Sequence, residues 1–192
     1  MIQVELYKNE LSQKTEELVA SVRDAINAVE VPTDTVSKTN SDEKEEGFFL
    51  KLGKKMLSFF KKKSPKEDYE SKSRLSRSYG QTANELFKEI ERIHKENSTK
   101  WSEFIESQRQ KLNAEIKSSG LEEALQTKML DSQISNSVLR FKVIDELSVL
   151  NDLGRKGDSK AFEEYKEGFL NRYRAAVKDA KKIQFEIYDK LQ

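Results

Sequence analysis

The residues of this chain best suited to chemistry lie between Phe48 and Lys63, and the chemistry they suit is that of an interface. At 100° per residue on an α-helix, Phe48, Phe49, Leu52, Met56, Phe59 and Phe60 fall within one sector of ~120°. Leu50 and Leu57 widen one edge of that sector. Lys51, Lys54, Lys55, Lys61 and Lys62 take the opposite face with Ser58, and Lys63 closes the run. An apolar face backed by lysines lets a helix lie in the surface of an anionic bilayer. Each lysine near such a surface contributes ~1 kcal/mol, and each phenylalanine withdrawn from water ~1.5–3 kcal/mol. Two other uses fit the same pattern. The helix could dock on its own bundle, or it could fill a groove on another protein.

Elsewhere the side chains offer little for catalysis. His94 is the single histidine, set between Ile90 and Trp101 on a helical seam, where it reads as a satisfied core residue. Glu91 and His94 form one Glu-x-x-His pair, whereas di-iron bundles need two such pairs and two further glutamates. The stretch from Gly154 to Lys160 lacks the spacing of a phosphate loop and follows a helix, so it reads as a basic turn. With one histidine, no nucleophile–base pair forms. Trp101, Phe104 and Tyr173 stand at heptad spacing, which marks core residues more than a base-stacking platform. Arg172, Arg174, Lys178, Lys181 and Lys182 read as a solvated helix face, diluted by Asp179. The expectation is a non-enzymatic chain with no cofactor, no metal and no small-molecule substrate.

Composition bounds what can hold these residues. Of 192 residues, 35% are hydrophobic and 36% charged, with seven Gly and two Pro. So little apolar material favours long helices that share narrow seams over a thick globule. The net charge of +1 does not support nucleic-acid binding through overall charge. The six lysines of 51–63, with no acid among them, leave the rest of the chain net acidic. Asp42, Glu43, Glu45 and Glu46 stand just ahead of them. The absence of Cys fits a reducing cytosol. Met1 leads into a charged helix with no secretory signal, and no apolar run reaches the ~18–20 residues of a transmembrane helix. The expected location is cytoplasmic, peripheral to the inner face of a membrane.

The elements follow from periodicity. Residues 1–31 read as an N-terminal helix, with Val4, Leu11, Leu18 and Ala25 recurring at sevens and Val31-Pro32 ending it. Residues 32–46 read as a flexible acidic linker, 47–63 as the basic amphipathic helix, and 64–78 as a second flexible linker. Residues 79–192 predict an antiparallel three-helix bundle. Helix two should run from Thr82 to Ser118 on Ala83, Phe87, Ile90, His94, Asn97, Trp101, Phe104, Gln108, Leu112 and Ile116. Ser119 and Glu122 are spaced as a capping box for helix three over 121–152. Its apolar residues are Leu121, Leu125, Met129, Ile134, Val138, Phe141, Ile144, Leu147 and Leu150. After Gly154 and Gly157, Asp158 or Ser159 caps helix four. Phe162, Tyr165, Phe169, Tyr173, Ala176, Ala180, Ile183, Ile187 and Leu191 predict a coiled-coil seam on it. The fold expected is all-α: an elongated antiparallel three- to four-helix bundle or coiled coil with a separate amphipathic helix. The first helix would add a fourth strand or pair with another copy as a homodimer.

Long antiparallel helices with an amphipathic segment resemble BAR-type modules, which dimerise and sense or shape curvature. They are also similar to the stalk of dynamin-like proteins, where a short apolar, lysine-rich insertion between stalk helices acts as a membrane paddle. Phe48–Lys63, between the first and second helices, matches such an insertion in place. With no GTPase half in the chain, that second resemblance implies a separate GTPase partner. The function expected is a helical scaffold on anionic membranes. The alternative is a soluble coiled-coil adaptor or inhibitor that binds a protein partner through the same helix or a bundle seam.

Overall fold

The computed structural model describes residues 3–32, 65–119 and 139–190; the side chains of the second helix are described from Ser73 to Ser118. Among these residues there are four helices and no strand: α1 (Val4–Asn27), α2 (Pro65–Ser119), α3 (Ile144–Lys156) and α4 (Ser159–Asp189). The protein is an all-α bundle, and no described helix is long and apolar enough to cross a membrane.

Contacts give the chain directions. Tyr7 Oη donates to Glu115 Oε1 of α2 at 2.8 Å, Asn97 Nδ2 donates to the Leu18 carbonyl at 3.0 Å, and Tyr79 Oη donates to the Pro32 carbonyl at 3.1 Å. Advancing along α1 therefore means retreating along α2. α1 meets α4 in the same opposed sense, from Lys8–Asp189 at 2.5 Å to Lys166 Nζ, which donates to the Val29 carbonyl at 2.7 Å. α2 and α4 run alongside each other in one direction and, among the described residues, meet through their side chains. Tyr79 stacks on Phe162 with centroids 5.8 Å apart, Asn97 Nδ2 reaches Tyr173 Oη at 3.2 Å, and Tyr188 Oη donates to Gln108 Oε1. α1 is thus built into the same core as the other helices, a fourth strand within one chain.

The core is a continuous column that includes Leu11, Leu18, Leu86, Ile90, Trp101, Leu112, Phe162, Phe169 and Tyr173, each withdrawn almost entirely from solvent. Its period is longer than the expected seven. On α2, Tyr79, Ile90, Trp101 and Leu112 recur every eleven residues, as do Leu86, Asn97 and Gln108. On α4, Phe162, Tyr173 and Gln184 form one such row, and Lys166, Val177 and Tyr188 form another. Eleven residues over three turns is ~3.67 per turn, close to the 3.6 of a straight helix, so the stripe stays on one face without left-handed supercoiling. Of the seam expected on α4, Phe162, Tyr165, Phe169, Tyr173 and Ile187 are buried, and three positions are corrected. Ala176, Ala180 and Ile183 are only partly buried, while Val177, Gln184 and Tyr188 are inside.

Three boundaries also differ from expectation. The linker read over 64–78 is helical from Pro65, and α2 is 55 residues long where a start at Thr82 was expected. Proline cannot continue a helix but is pre-organised for its first turn. Ser64-Pro65, read as a stop, is a start, and the polar run after it contains no glycine before Gly80. Helix three does not run unbroken over 121–152. Residues 139–142 are non-helical, and α3 begins at Ile144 and continues past Gly154 to Lys156. The ring of Phe141 accounts for the break, since it packs 5.4 Å from Phe169 and 5.2 Å from Tyr173. The turn into α4 is as expected. Gly157 takes the left-handed conformation at φ 64° and closes α3, and Asp158 accepts from the backbone N–H groups of Lys160 and Ala161.

Candidate functional site: the Tyr79 end of the bundle

Every residue singled out for membrane or partner contact falls outside the described residues. These are Phe48, Phe49, Leu52, Met56, Phe59 and Phe60, with Lys51, Lys54, Lys55, Lys61, Lys62 and Lys63. What the structure describes is the platform from which their stretch of chain departs and to which it returns.

That platform is built around Tyr79. Its ring is fully buried against Phe162, and its hydroxyl holds the chain just beyond α1 by the Pro32 carbonyl. The α3–α4 turn fits around the same ring. A Cβ on Gly157 would stand 3.1 Å from Tyr79 Cδ2, and one on Gly154 would stand 3.1 Å from Ala83 Cβ. Glycine at these two places is what lets three chain segments meet on one tyrosine. Lys166 adds a fourth tie. Only 6% exposed, it donates to the Val29 carbonyl left unpaired beyond α1 and pairs with Glu163 at 3.3 Å. A buried ammonium is tolerated where it is hydrogen-bonded and paired in this way.

Beyond Tyr79, α2 leaves the core. Residues 73–77 are all exposed, Leu75 at 42%, and the fourteen residues from Pro65 to Ser78 span about 21 Å of helix at 1.5 Å each. Where the chain leaving α1 meets α2 and α4 lies a polar recess of about 850 Å³, walled by Asn27, Glu30, Gln81, Glu85 and Lys166 among others. The cations near this end do not make a basic patch, because Arg155 lies 3.8 Å from Asp152 and Lys160 lies 3.4 Å from Glu164.

The remaining sequence candidates are structural. Trp101 is fully buried, and the Tyr173 hydroxyl is bound by Asn97, so neither offers a face to a base. Burial pushes the Tyr173 phenol up to about 12. Arg172 folds onto buried Glu146 at 2.6 Å, and Glu146 also accepts from Tyr165 at 2.9 Å. His94 is half-buried beside Phe141 and Tyr173, and burial lowers its pKa. Among the described residues no three His, Cys, Asp or Glu gather as metal ligands.

Tyr79 and Lys166 were missed in the sequence. Tyr79 lies ahead of the heptad pattern but one eleven-residue step before Ile90. Lys166 has no sequence signal, since a lysine on a helix ordinarily reads as solvated. Comparison with known proteins yields no match, whether to a family model, to a curated protein or to a solved structure.

Proposed function

We propose that this protein is a non-enzymatic helical scaffold that attaches peripherally to anionic membranes through Phe48–Lys63, with the bundle as the support that carries this segment at one end. The observation that supports the reading is where the intervening chain is tied. Pro32 is pinned to Tyr79, and Pro65 begins a helix that projects outward past that same residue. In the sequence Lys63 is two residues before Pro65, where α2 begins fourteen residues ahead of Tyr79. The described core has its own bulky residues, Trp101, Tyr79, Tyr173, Tyr188, Phe162 and Phe169, all fully buried. Mounting at an end favours a role like the paddle of a dynamin-type stalk over the lengthwise contact of a BAR-type module. A partner GTPase, a homodimer and residence on the cytoplasmic face of a membrane belong to the same proposal.

Co-sedimentation with vesicles tests it. The chain is expected to pellet with vesicles containing phosphatidylserine, to release as salt screens the lysines, and to stay in the supernatant with neutral vesicles. Phe49→Glu with Phe60→Glu should abolish pelleting while leaving the helical content intact. Retention of a protein partner with no vesicle binding would favour the adaptor role instead.

A further inference from the structure

The basic run of α4 is divided between two faces. Arg172 turns to Glu146 of α3, whereas Arg174, Lys178 and Lys181 stand four and three residues apart on the side that meets α1. Like charges at that spacing repel along a helix. Elsewhere the bundle offsets its cations with acids nearby: Arg92 reaches both Glu89 and Glu96, Arg109 reaches Glu106, and Lys14 reaches Glu17. On this side it does not. Arg174 Nη1 donates to the neutral amide oxygen of Asn171 at 3.0 Å, and Lys181 lies 5.3 Å over the Phe185 ring. Among the described residues none of the three has an ion-pair partner.

The facing helix adds to the excess. Contacts at the two ends of the α1–α4 seam, Lys8 with Asp189 and Lys166 with Val29, bring Arg23 level with Arg174 and Glu16 level with Lys181. Arg23 has a carboxylate only from its neighbour Asp24, at 3.2 Å. Between the two rows lies a recess of about 600 Å³, floored by Val19, Ala20 and Val177. Arg23, Arg174, Lys178 and Lys181 stand around it against the single acid Glu16. The methyl of Ala20 leaves the room at its centre.

We propose that this seam is the docking site for an acidic, amphipathic segment of a partner protein, with carboxylates at Arg23, Arg174 and Lys178 and an apolar side chain on Ala20. The uncompensated cations select the sign of the partner, and the recessed floor selects its form. A flat bilayer would meet the cations and leave the floor uncovered, whereas a helix can lower a side chain between the two rows. From Thr15 to Arg23 the seam is about 12 Å long, enough for about two turns of such a helix. This site goes beyond membrane attachment and does not depend on it.

Fluorescence anisotropy with the full chain tests the site, using a fluorescein-labelled peptide about three helical turns long with Glu and Leu at helical spacing. The peptide should bind, more weakly as salt rises, and versions with Gln for Glu or Ser for Leu should not. Arg174→Glu with Lys178→Glu should weaken binding about tenfold or more at unchanged helical content. Ala20→Trp, which fills the recess, should do the same. Lys88→Glu with Lys95→Glu makes an equal change of charge at exposed positions of α2 and should leave binding as it was. So should Lys54→Glu with Lys55→Glu in the lysine-rich run. Pelleting with phosphatidylserine vesicles should persist in Arg174→Glu with Lys178→Glu. No binding of the acidic peptide, or an equal loss in either control, would overturn the proposal. Loss of vesicle pelleting with peptide binding retained would also overturn it, by giving this face to lipid.

Discussion

Asn97 occupies a core position where an apolar residue would pack as well, yet its amide joins three helices. It donates to the Leu18 carbonyl and to Tyr173 Oη and accepts from Ser21 Oγ at 3.2 Å. Replacing it with Ala leaves the Tyr173 hydroxyl buried and unbonded, a cost of about 1–3 kcal/mol. In Tyr173→Phe the orphan is removed, so denaturant unfolding of Asn97→Ala in that background should show a smaller loss. His94 makes a second residue-scale test. Burial holds its folded pKa below the ordinary value of about 6.5, so the unfolded chain takes up the proton first. Stability present above pH 6.5 is then lost as pH falls toward the folded pKa. The urea midpoint should drop between pH 7.5 and 5.5 more steeply in the natural chain than in His94→Phe, whose ring suits the Phe141 and Tyr173 neighbourhood. Equal slopes would remove His94 from the acid response.

At the scale of elements, two glycines near Tyr79, Gly157 and Gly80, predict opposite signs. Gly157 is at φ 64° with a tyrosine ring against it, so Gly157→Ala should cost about 1–2 kcal/mol from conformation alone. Gly80 is inside α2, where an added Cβ meets nothing within 4 Å, and Gly80→Ala should raise stability by about 0.5–1 kcal/mol. Thermal unfolding of the pair decides both. The elements themselves were unevenly legible in the sequence. Asp158 and Gly157 announced the α3–α4 turn because caps depend on local chemistry alone. α1 was legible because Val4, Leu11, Leu18 and Ala25 recur at sevens and are all buried, although Val4, Thr15 and Ile26 also stand eleven apart. On α4 Ile187 was read correctly, but Ala176, Ala180 and Ile183 were taken as the seam where the two periods diverge and only packing chooses Val177 over Ala176. The start of α2 was hidden because a polar run after a proline looks the same in a linker and in a solvated helix. The break before α3 depends on Phe141 finding Phe169 and Tyr173, partners about thirty residues away.

At the scale of the molecule, the described bundle is a closed support. Its polar interior groups are largely paired across helices, and its ends are unequal. The Tyr188 end is fastened by Tyr7–Glu115, Lys8–Asp189 and Gln108. The Tyr79 end releases and recovers the chain that contains Phe48–Lys63. The chemistry of that segment was legible from residue types alone; its attachment to one end was not, since that depends on Tyr79 meeting Pro32 and on α2 starting at Pro65. A polarity-sensitive dye on a single cysteine tests the outcome most directly. With phosphatidylserine vesicles, NBD attached through Leu52→Cys should shift its emission to the blue and brighten, while NBD at Lys111→Cys, near the opposite end, should not change. An unchanged signal at position 52, or the same change at both positions, would contradict attachment through this segment.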